Sequence, residues 1–156
     1  MPLQQELGLP QPFHHFEHEA LLNIYYTAAV LKKRADAFFR DHNLTDVQFN
    51  VLMLLINQAG DEGLTQVDLS RMMLVNRANI TGIVDRMEKA GLIARKPMPG
   101  DRRYNRVVIT NNGRRIFEDT EKEYQSTVKA IMRTLGDRDQ KKLVRLLEAL
   151  RQGISE

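Results

Sequence analysis

Apolar residues recur every three or four positions through most of this chain, the spacing that places them on one face of an α-helix. The first such stretch runs from His14 to Asp41 and predicts one long amphipathic helix. Its apolar positions are Leu21, Ile24, Tyr25, Ala28, Leu31, Ala35 and Phe38. Neighbouring apolar residues make this face wider than one contact within the chain needs, so we expect it to meet a partner surface. Residues 1–13 hold three of the five prolines and predict an extended arm.

Two capping boxes mark the starts of the next two helices. Thr45 with Gln48, and Thr65 with Asp68, each place a hydroxyl three residues before a side chain that can return a hydrogen bond. The segment after Thr45 is apolar almost all round, which predicts a helix in the middle of a domain. The residues that the second helix is expected to bury are Leu69, Met72 and Met73.

A third short helix and a hairpin follow. Leu74 and Val75 form the predicted turn, and Asn76 caps a helix that ends at Gly91. The core face of this helix carries Ile80, Ile83, Val84 and Met87. After Gly91 the pattern predicts strands at 92–96 and 104–110, separated by residues 97–101, which are not expected to continue a ladder. The result is a basic hairpin with a long tip.

Two further helices complete the chain, one beginning at residues 111–113 and one after Gly136 and Asp137. The last helix carries a narrow aliphatic stripe at Leu143, Leu146, Leu147 and Leu150. Terminal helices with such stripes usually cover each other, either within one chain or between two chains. The predicted fold class is α+β, mostly α, with a winged helix-turn-helix lobe at 45–110 between a helix at 14–44 and the helices of 111–156.

Charge is distributed unevenly along the chain. Residues 71–106 contain nine Lys or Arg and three Asp or Glu, a local charge of +6, whereas the remainder contains 14 basic and 17 acidic residues and sums to −3. A basic segment on an acidic remainder is typical of a face that neutralises phosphates. A solvated charged surface is the alternative interpretation.

Composition excludes several classes of function. The chain has no cysteine, which excludes disulfides, thiolate metal sites and sensing by thiol oxidation. It has no Gly-rich phosphate loop and no His-Glu-x-x-His motif, so neither an enzyme nor a cofactor is predicted. A leader-like N-terminus and a run of 18 apolar residues are also missing, and we expect a cytoplasmic protein that does not enter a membrane.

The face of the third helix opposite its core stripe carries side chains suited to a major groove of double-stranded DNA. Arg can donate two hydrogen bonds to guanine, Asn can bond adenine, and Ala or Thr can contact a thymine methyl group. The predicted contacts on this helix are Asn76, Arg77, Ala78, Asn79, Thr81, Gly82 and Arg86. A glycine inside a helix costs about 1 kcal/mol relative to alanine, so Gly82 indicates a close approach, either of DNA or of another element.

Two other places could contact the DNA backbone or a minor groove. The N-terminus of the preceding helix can receive phosphates through Thr65, Gln66 and Ser70, for which plain capping is the alternative. At the hairpin tip, Arg102 and Arg103 suit a minor groove, and Asp101 is expected to pair with Arg103. An exposed solubilising loop is the alternative for the tip.

These residues resemble the MarR family of bacterial winged-helix regulators over about residues 15–152. The matching positions are Leu64-Thr65, Asp68-Leu69, Asn76-Arg77, Ile80-Thr81, Val84, Arg86-Met87-Glu88, Gly91-Leu92-Ile93, Arg95, Asp101-x-Arg103 and Ile109-Thr110. Leu74 departs from the pattern, since glycine is frequent at that place. The resemblance implies a homodimer with dimerisation helices at 14–44 and 111–156, bound to a pseudopalindromic operator. It further implies a repressor that a small-molecule effector releases.

In relatives, small phenolic or other aromatic anions often lie between the dimerisation helices and the DNA-binding lobe. The corresponding residues here are Tyr25, Tyr26, Phe38, Arg40, Phe49 and Met53. Core packing is the alternative role for them.

Two other functions stay open beside the effector-controlled repressor. Some relatives sense metals, and His14 and His18 are one helical turn apart, with His15 between them. A solvated polar cluster is the expected role of these histidines, and no metal site is predicted. A winged helix that binds another protein is the second alternative, although such modules generally lack a basic helix face and a basic hairpin.

Overall fold

The computed structural model describes residues 1–73, 77–98 and 101–154. The helices and strands, in chain order, are α1 (Leu3–Glu6), α2 (Phe16–Asp41), α3 (Asp46–Asn57), a 3-10 turn (Gly60–Glu62), β1 (Leu64–Thr65), α4 (Gln66–Met72), α5 (Arg77–Lys89), β2 (Ile93–Met98), β3 (Asp101–Ile109), α6 (Asn111–Met132) and α7 (Asp137–Ile154). The predicted turn at Leu74 and Val75 and the predicted cap Asn76 lie outside the described residues. A search of the described helices for one long and apolar enough to cross a membrane found none.

Both predicted capping boxes are confirmed. The Thr45 hydroxyl oxygen accepts from the backbone N–H of Gln48 at 3.2 Å, and Gln48 Oε1 accepts from the N–H of Thr45 at 2.9 Å. Thr65 and Asp68 repeat this exchange at the start of α4, at 3.1 and 3.3 Å. Local side-chain chemistry therefore determines where α3 and α4 begin.

The core of the lobe forms around α3, as its apolar composition predicts. Val51 and Leu52 of α3 are fully buried. The predicted stripe of α5 is confirmed, and its buried residues are Ile80, Ile83, Val84 and Met87. One prediction for α4 is wrong: Leu69 is buried, but Met72 is 40% exposed. α4 has only seven residues, and Met72 is the last of them.

The sheet is larger than the sequence predicted. Its strand order is β1-β3-β2, with both pairs antiparallel, and the two-residue strand β1 adds Leu64 opposite Val107. Residues 97–101 were expected to interrupt the hairpin. In the structure Pro97 pairs with Asn105, and only residues 99–100 lie between the two strands. Because β2 is an edge strand, a proline without an N–H is tolerated there. The long predicted tip is therefore wrong, and residues 99–100 lie outside the described part of the chain.

The N-terminal arm is not extended throughout, contrary to the prediction. Residues Leu3–Glu6 form one helical turn, and Leu3 is only 4% exposed. Leu3 lies in a hollow that Tyr26 and Val30 of α2 and Ile131 of α6 also line. A single leucine has no periodicity, so the sequence carried no signal for this contact.

The helix α7 keeps its aliphatic stripe exposed. None of its described residues is buried, and Leu146 and Leu150 are 58% and 46% exposed. Leucines at i, i+3, i+4 and i+7 on a solvated helix expose apolar area that association would bury. The single chain leaves this surface uncovered.

Gly113 is needed where α6 begins. The Thr110 hydroxyl accepts from the N–H of Gly113 at 3.0 Å and lies 2.7 and 3.0 Å from the carbonyl oxygens of Gly91 and Leu92, which holds the first turn of α6 against the segment that follows α5. A Cβ on Gly113 would overlap the carbonyl oxygen of Leu92, lie 2.9 Å from its carbonyl carbon, and lie 3.1 Å from Ile109 Cγ1. These neighbours are mostly backbone atoms, which cannot move aside alone.

Gly113→Ala is therefore expected to lower the free energy of unfolding by about 3 kcal/mol or more, because overpacking forces backbone shifts. Chemical denaturation measures the change. Gly153→Ala is the control, since a Cβ at Gly153 of α7 meets no described atom within 4 Å. Equal stability of the Gly113→Ala and Gly153→Ala proteins would contradict the prediction.

Candidate nucleic-acid interface

The outer face of α5 is polar and exposed, opposite its buried stripe. Asn79, Thr81 and Arg86 are exposed there, and Gly82 is half-exposed among them. For Arg77 and Ala78 the structure describes a helical backbone, but their side chains lie outside the described part, as does all of Asn76. The predicted helix contacts that are described thus share one surface.

Gly82 leaves the backbone of α5 open on this surface. Among the described atoms outside the helix backbone, a Cβ on Gly82 would meet only Arg86 Nη1, at 3.4 Å, which is an ordinary contact with a flexible side chain. The alternative that Gly82 packs closely against another described element is therefore wrong. The close approach of DNA at Gly82 stays a prediction.

The start of α4 is connected to α5 by side chains. The Thr81 hydroxyl donates to Gln66 Oε1 at 2.9 Å. The Thr65 hydroxyl donates to Asp68 Oδ2 at 2.7 Å, and this hydrogen bond lowers the pKa of Asp68 below its ordinary value. Ser70 is half-buried. Thr65 therefore acts as a cap, and Gln66 and Thr81 lie next to each other on one surface.

Arg95 links the hairpin of β2 and β3, which we call the wing, to α5. Its guanidinium group contacts the carboxylates of Asp85 and Glu88, and its side chain is only 20% exposed. Its backbone N–H also donates to Glu88 Oε1 at 2.9 Å. Hydrogen bonds from the backbone and then the side chain of Arg95 lower the pKa of Glu88. The contact itself was not predicted from the sequence, although two acids three positions apart before a basic strand were a usable signal.

The predicted contacts at the end of the wing fall on β3. The backbones of Asp101, Arg102 and Arg103 belong to this strand, but their side chains lie outside the described part. The predicted pair of Asp101 with Arg103 also lies outside it. At the base of the wing, Arg106 donates to the Gly63 carbonyl oxygen at 3.1 Å and lies 3.3 Å from Glu62.

A groove of about 590 Å³ runs between α2 and the outer face of α5, lined by Asn79, Gly82 and Arg86 on one side. On the other side, Lys32 of α2 contacts Asp36 and lies 3.2 Å from Asp46 at the start of α3. Hydrogen bonds to Asp36 and then to Asp46 raise the pKa of Lys32. The contact with Asp46 joins the long helix to the lobe.

The predicted effector residues do not form one site in the single chain. Phe49 is 1% exposed and stacks on Phe117 with ring centroids 5.1 Å apart, whereas Tyr25 is 64% exposed. Arg40 is exposed, and Met53 packs against the core. Tyr26 lines the hollow that holds Leu3.

Phe38 lines a separate cavity of about 260 Å³ between α2 and α6. The other residues that line this cavity are Leu31, Arg34, Ala35, Tyr124, Thr127, Val128, Ile131 and Met132. Most of these side chains are apolar, and Arg34 is the cation among them. No sequence pattern indicated the α6 side of this cavity, because the pairing of α2 with α6 is set only by the fold.

The histidines near the N-terminus are exposed at the start of α2. His15 precedes the first helical residue, and His14 and His18 flank it. Within the described ranges, no group of three or more His, Cys, Asp or Glu residues could hold a metal ion. No observation therefore favours the metal-sensing alternative.

Comparison with known proteins shows which family of proteins this chain resembles. A family model described as MarR family matches residues 42–103, from before α3 into the wing. The chain is 35% identical over 95 residues to the transcriptional activatory protein BadR of Rhodopseudomonas palustris, covering 61% of this chain and 54% of BadR. It is 25% identical over 137 residues to the HTH-type transcriptional repressor YetL of Bacillus subtilis, covering 88% of this chain and 81% of YetL.

The chain resembles the MarR family over the residues that this family model matches.

A solved structure supports the winged-helix fold of this chain. Sco3205, a MarR family transcriptional regulator from Streptomyces coelicolor solved in complex with DNA, superimposes with a TM-score of 0.80 at 22% identity and covers 94% of both chains. The winged-helix fold class predicted from the sequence is therefore confirmed. The chain spans about half the length of BadR, 54%. The named relatives are regulators of transcription and not enzymes, as the sequence predicted.

Proposed function

We propose that this protein is a homodimeric transcriptional regulator of the MarR family that binds a pseudopalindromic operator in double-stranded DNA. The observation that carries the proposal is the two-sided helix α5. Its inner face is buried, while Asn79, Thr81 and Arg86 surround an open backbone position at Gly82. A helix with short polar and basic side chains around an accessible backbone fits a major groove. Arg77 on the same helix, and Arg102 and Arg103 on the wing, are proposed as further contacts.

The dimer is proposed from the uncovered stripe of α7. Pairing of two copies through α7 and the exposed part of α2 would remove apolar area from water, which stabilises association. A twofold dimer presents two copies of α5, and successive major grooves on one side of DNA are about 34–36 Å apart. Each lobe would then bind half of the operator. Repression follows if the operator overlaps a promoter, and the relative YetL is named a transcriptional repressor.

Titration of a duplex from the promoter region of the protein's own gene tests the proposal. The logarithm of the binding constant is expected to fall with the logarithm of the salt concentration, with a slope of about −0.9 per neutralised phosphate. Arg77→Ala and Arg103→Ala are each expected to weaken binding by about 1–3 kcal/mol. If both variants remain dimeric and bind as tightly as the wild type, the assigned contacts are wrong. A wild type that binds no duplex would favour the protein-binding alternative.

The proposed effector is a small aromatic carboxylate that binds in the cavity between α2 and α6. The cavity volume of about 260 Å³ suits a single ring, and Arg34 supplies a cation next to Phe38 and Tyr124. A ligand there would act on the operator only if it favours one spacing of the two lobes. Release of the repressor requires that the bound ligand favour the spacing that does not fit DNA.

Adding 4-hydroxybenzoate is expected to weaken operator binding by the wild type. Val128→Trp, which fills the cavity from α6, should keep operator affinity within about twofold because Val128 lies far from α5 in sequence and on an exposed helix face. The same variant should lose the response to the ligand. Ser126→Trp, at an exposed position of α6 outside the cavity lining, is the matched control. An unchanged ligand response in Val128→Trp would place the effector elsewhere.

A further inference from the structure

Among the described side chains of the wing, that of Arg95 forms ion pairs with α5. Arg95 lies on the edge strand β2, opposite Val107 of β3. Its guanidinium group contacts Asp85 and Glu88, which are three residues apart and therefore adjacent on one face of α5. With the additional hydrogen bond from its backbone N–H to Glu88 at 2.9 Å, both the strand and the side chain of Arg95 are tied to the helix.

Such a contact restrains orientation as well as distance. A guanidinium group presents its donors in a fixed plane, so bonds to two carboxylates hold the strand in one direction relative to the helix axis. The side chain of Arg95 is 20% exposed, whereas those of Glu88 and Asp85 are 38% and 59% exposed, so water screens the ion pair with Glu88 less than the ion pair with Asp85. On the other side of the wing, Arg106 of β3 contacts Gly63 and Glu62, which do not belong to α5. Among the described residues, Arg95 is therefore the charged contact that relates the wing to the proposed recognition helix.

We propose that Arg95 is a positioning residue that fixes the wing against α5, so that the wing and the helix engage neighbouring grooves of DNA as one rigid surface. This inference rests on the proposed DNA-binding function. Arg95 itself need not touch DNA, since its guanidinium group is occupied by Asp85 and Glu88. Without this contact, each DNA encounter would have to order the wing, and the ordering entropy would reduce the affinity.

A second explanation for the same contact must be separated from positioning. Asp85 and Glu88 lie on α5 and would repel phosphates, so Arg95 could act only by cancelling their charge. The two explanations predict opposite effects for the double variant Asp85→Asn/Glu88→Gln. Loss of two negative charges strengthens DNA binding if charge alone matters, whereas loss of the partners of Arg95 loosens the wing if positioning matters. Glu88→Gln keeps a neutral acceptor for the Arg95 N–H, so the strand itself is preserved.

The experiment is a double-mutant cycle between this double variant and Arg103→Ala on the wing. In the wild-type background Arg103→Ala is expected to weaken operator binding roughly tenfold. In the Asp85→Asn/Glu88→Gln background the same change should cost about twofold or less, because a loose wing contributes little to binding. In the Arg95→Met background, Arg103→Ala should likewise weaken operator binding by about twofold or less. In the Arg95→Lys background, which keeps one charge–charge contact, the loss of affinity caused by Arg103→Ala should be intermediate. An equal cost of Arg103→Ala in every background overturns the proposal.

Amide hydrogen exchange provides a second readout that does not involve DNA. Arg95→Met should accelerate exchange of the β2 and β3 amides while the amides of α2 and α6 exchange at the wild-type rate. Arg115→Met is the matched control, because Arg115 lies on α6 and its contact is with Asn112 of the same helix. Unchanged exchange in the wing of Arg95→Met overturns the positioning role, whether or not the protein binds DNA. A wild type that binds no DNA, with faster wing exchange in Arg95→Met, would instead refute the proposed function and leave the mechanical role of Arg95 supported.

Discussion

Gly82→Glu is expected to abolish operator binding, with a loss of about hundredfold or more, while the protein stays folded and dimeric. The added side chain would project from the outer face of α5 at the one position where the helix backbone is open, and its carboxylate would repel phosphates. Folding should not suffer, because a Cβ at this position meets only the movable end of Arg86 among the described atoms and because glycine is a poor helix former. A binding titration and thermal unfolding of the same preparation measure both effects.

Two further substitutions at this position separate charge from size. The glutamine of Gly82→Gln has the length of the glutamate of Gly82→Glu without its charge. An intermediate loss of operator affinity would therefore show that both the charge and the size of the added side chain weaken binding. Gly82→Ala is expected to stabilise the fold by about 1 kcal/mol and to weaken binding least. The prediction is wrong if Gly82→Glu is folded and binds operator like the wild type, since α5 would then not face the DNA.

Leu146→Glu is expected to convert the dimer to a monomer and to weaken operator binding by about hundredfold, because one lobe alone loses the second half-site. Leu146 is 58% exposed in the single chain, so the substitution costs the isolated fold little. In the dimer the same residue would be buried, and an unpaired carboxylate there is strongly unfavourable. Sedimentation or light scattering over a range of protein concentrations measures the oligomeric state.

Gln152→Glu adds the same charge six residues further along α7, on the face opposite the aliphatic stripe. It should remain dimeric and bind operator as the wild type does. If Leu146→Glu is still a dimer at low micromolar concentration, the stripe of α7 is not the dimer contact. If it is a monomer that binds DNA with wild-type affinity, the twofold operator model is wrong.

The candidate interface could be predicted only in part. The periodic core residues of α5 determine its outer face, so the sequence predicted that Asn79, Thr81, Gly82 and Arg86 lie on that face. The contacts of Arg95 and Arg106 were not predicted. Arg95 on a strand contacts residues on a helix, and Arg106 contacts Gly63, which is distant in sequence. The effector residues chosen from the family resemblance were dispersed by the fold, with Phe49 in the core and Tyr25 on the surface.

The sequence by itself determined the local features of this protein. Capping boxes at Thr45 and Thr65, the core stripe of α5 and the glycine after it each depend on residues within one or two turns, and all were predictable. Such features follow from backbone hydrogen bonding and helical period, which act over short distances along the chain.

Only the tertiary structure decided what depends on distant partners. Pro97 continues a strand because β2 is at the edge of the sheet. Leu3 is buried in a hollow between α2 and α6, which form that hollow only in the folded chain. Arg95 became the link between the wing and α5 because folding brings Asp85 and Glu88 to it. In each case the energy comes from burial or pairing between groups that no local pattern relates, so the outcome exists only once the chain has folded.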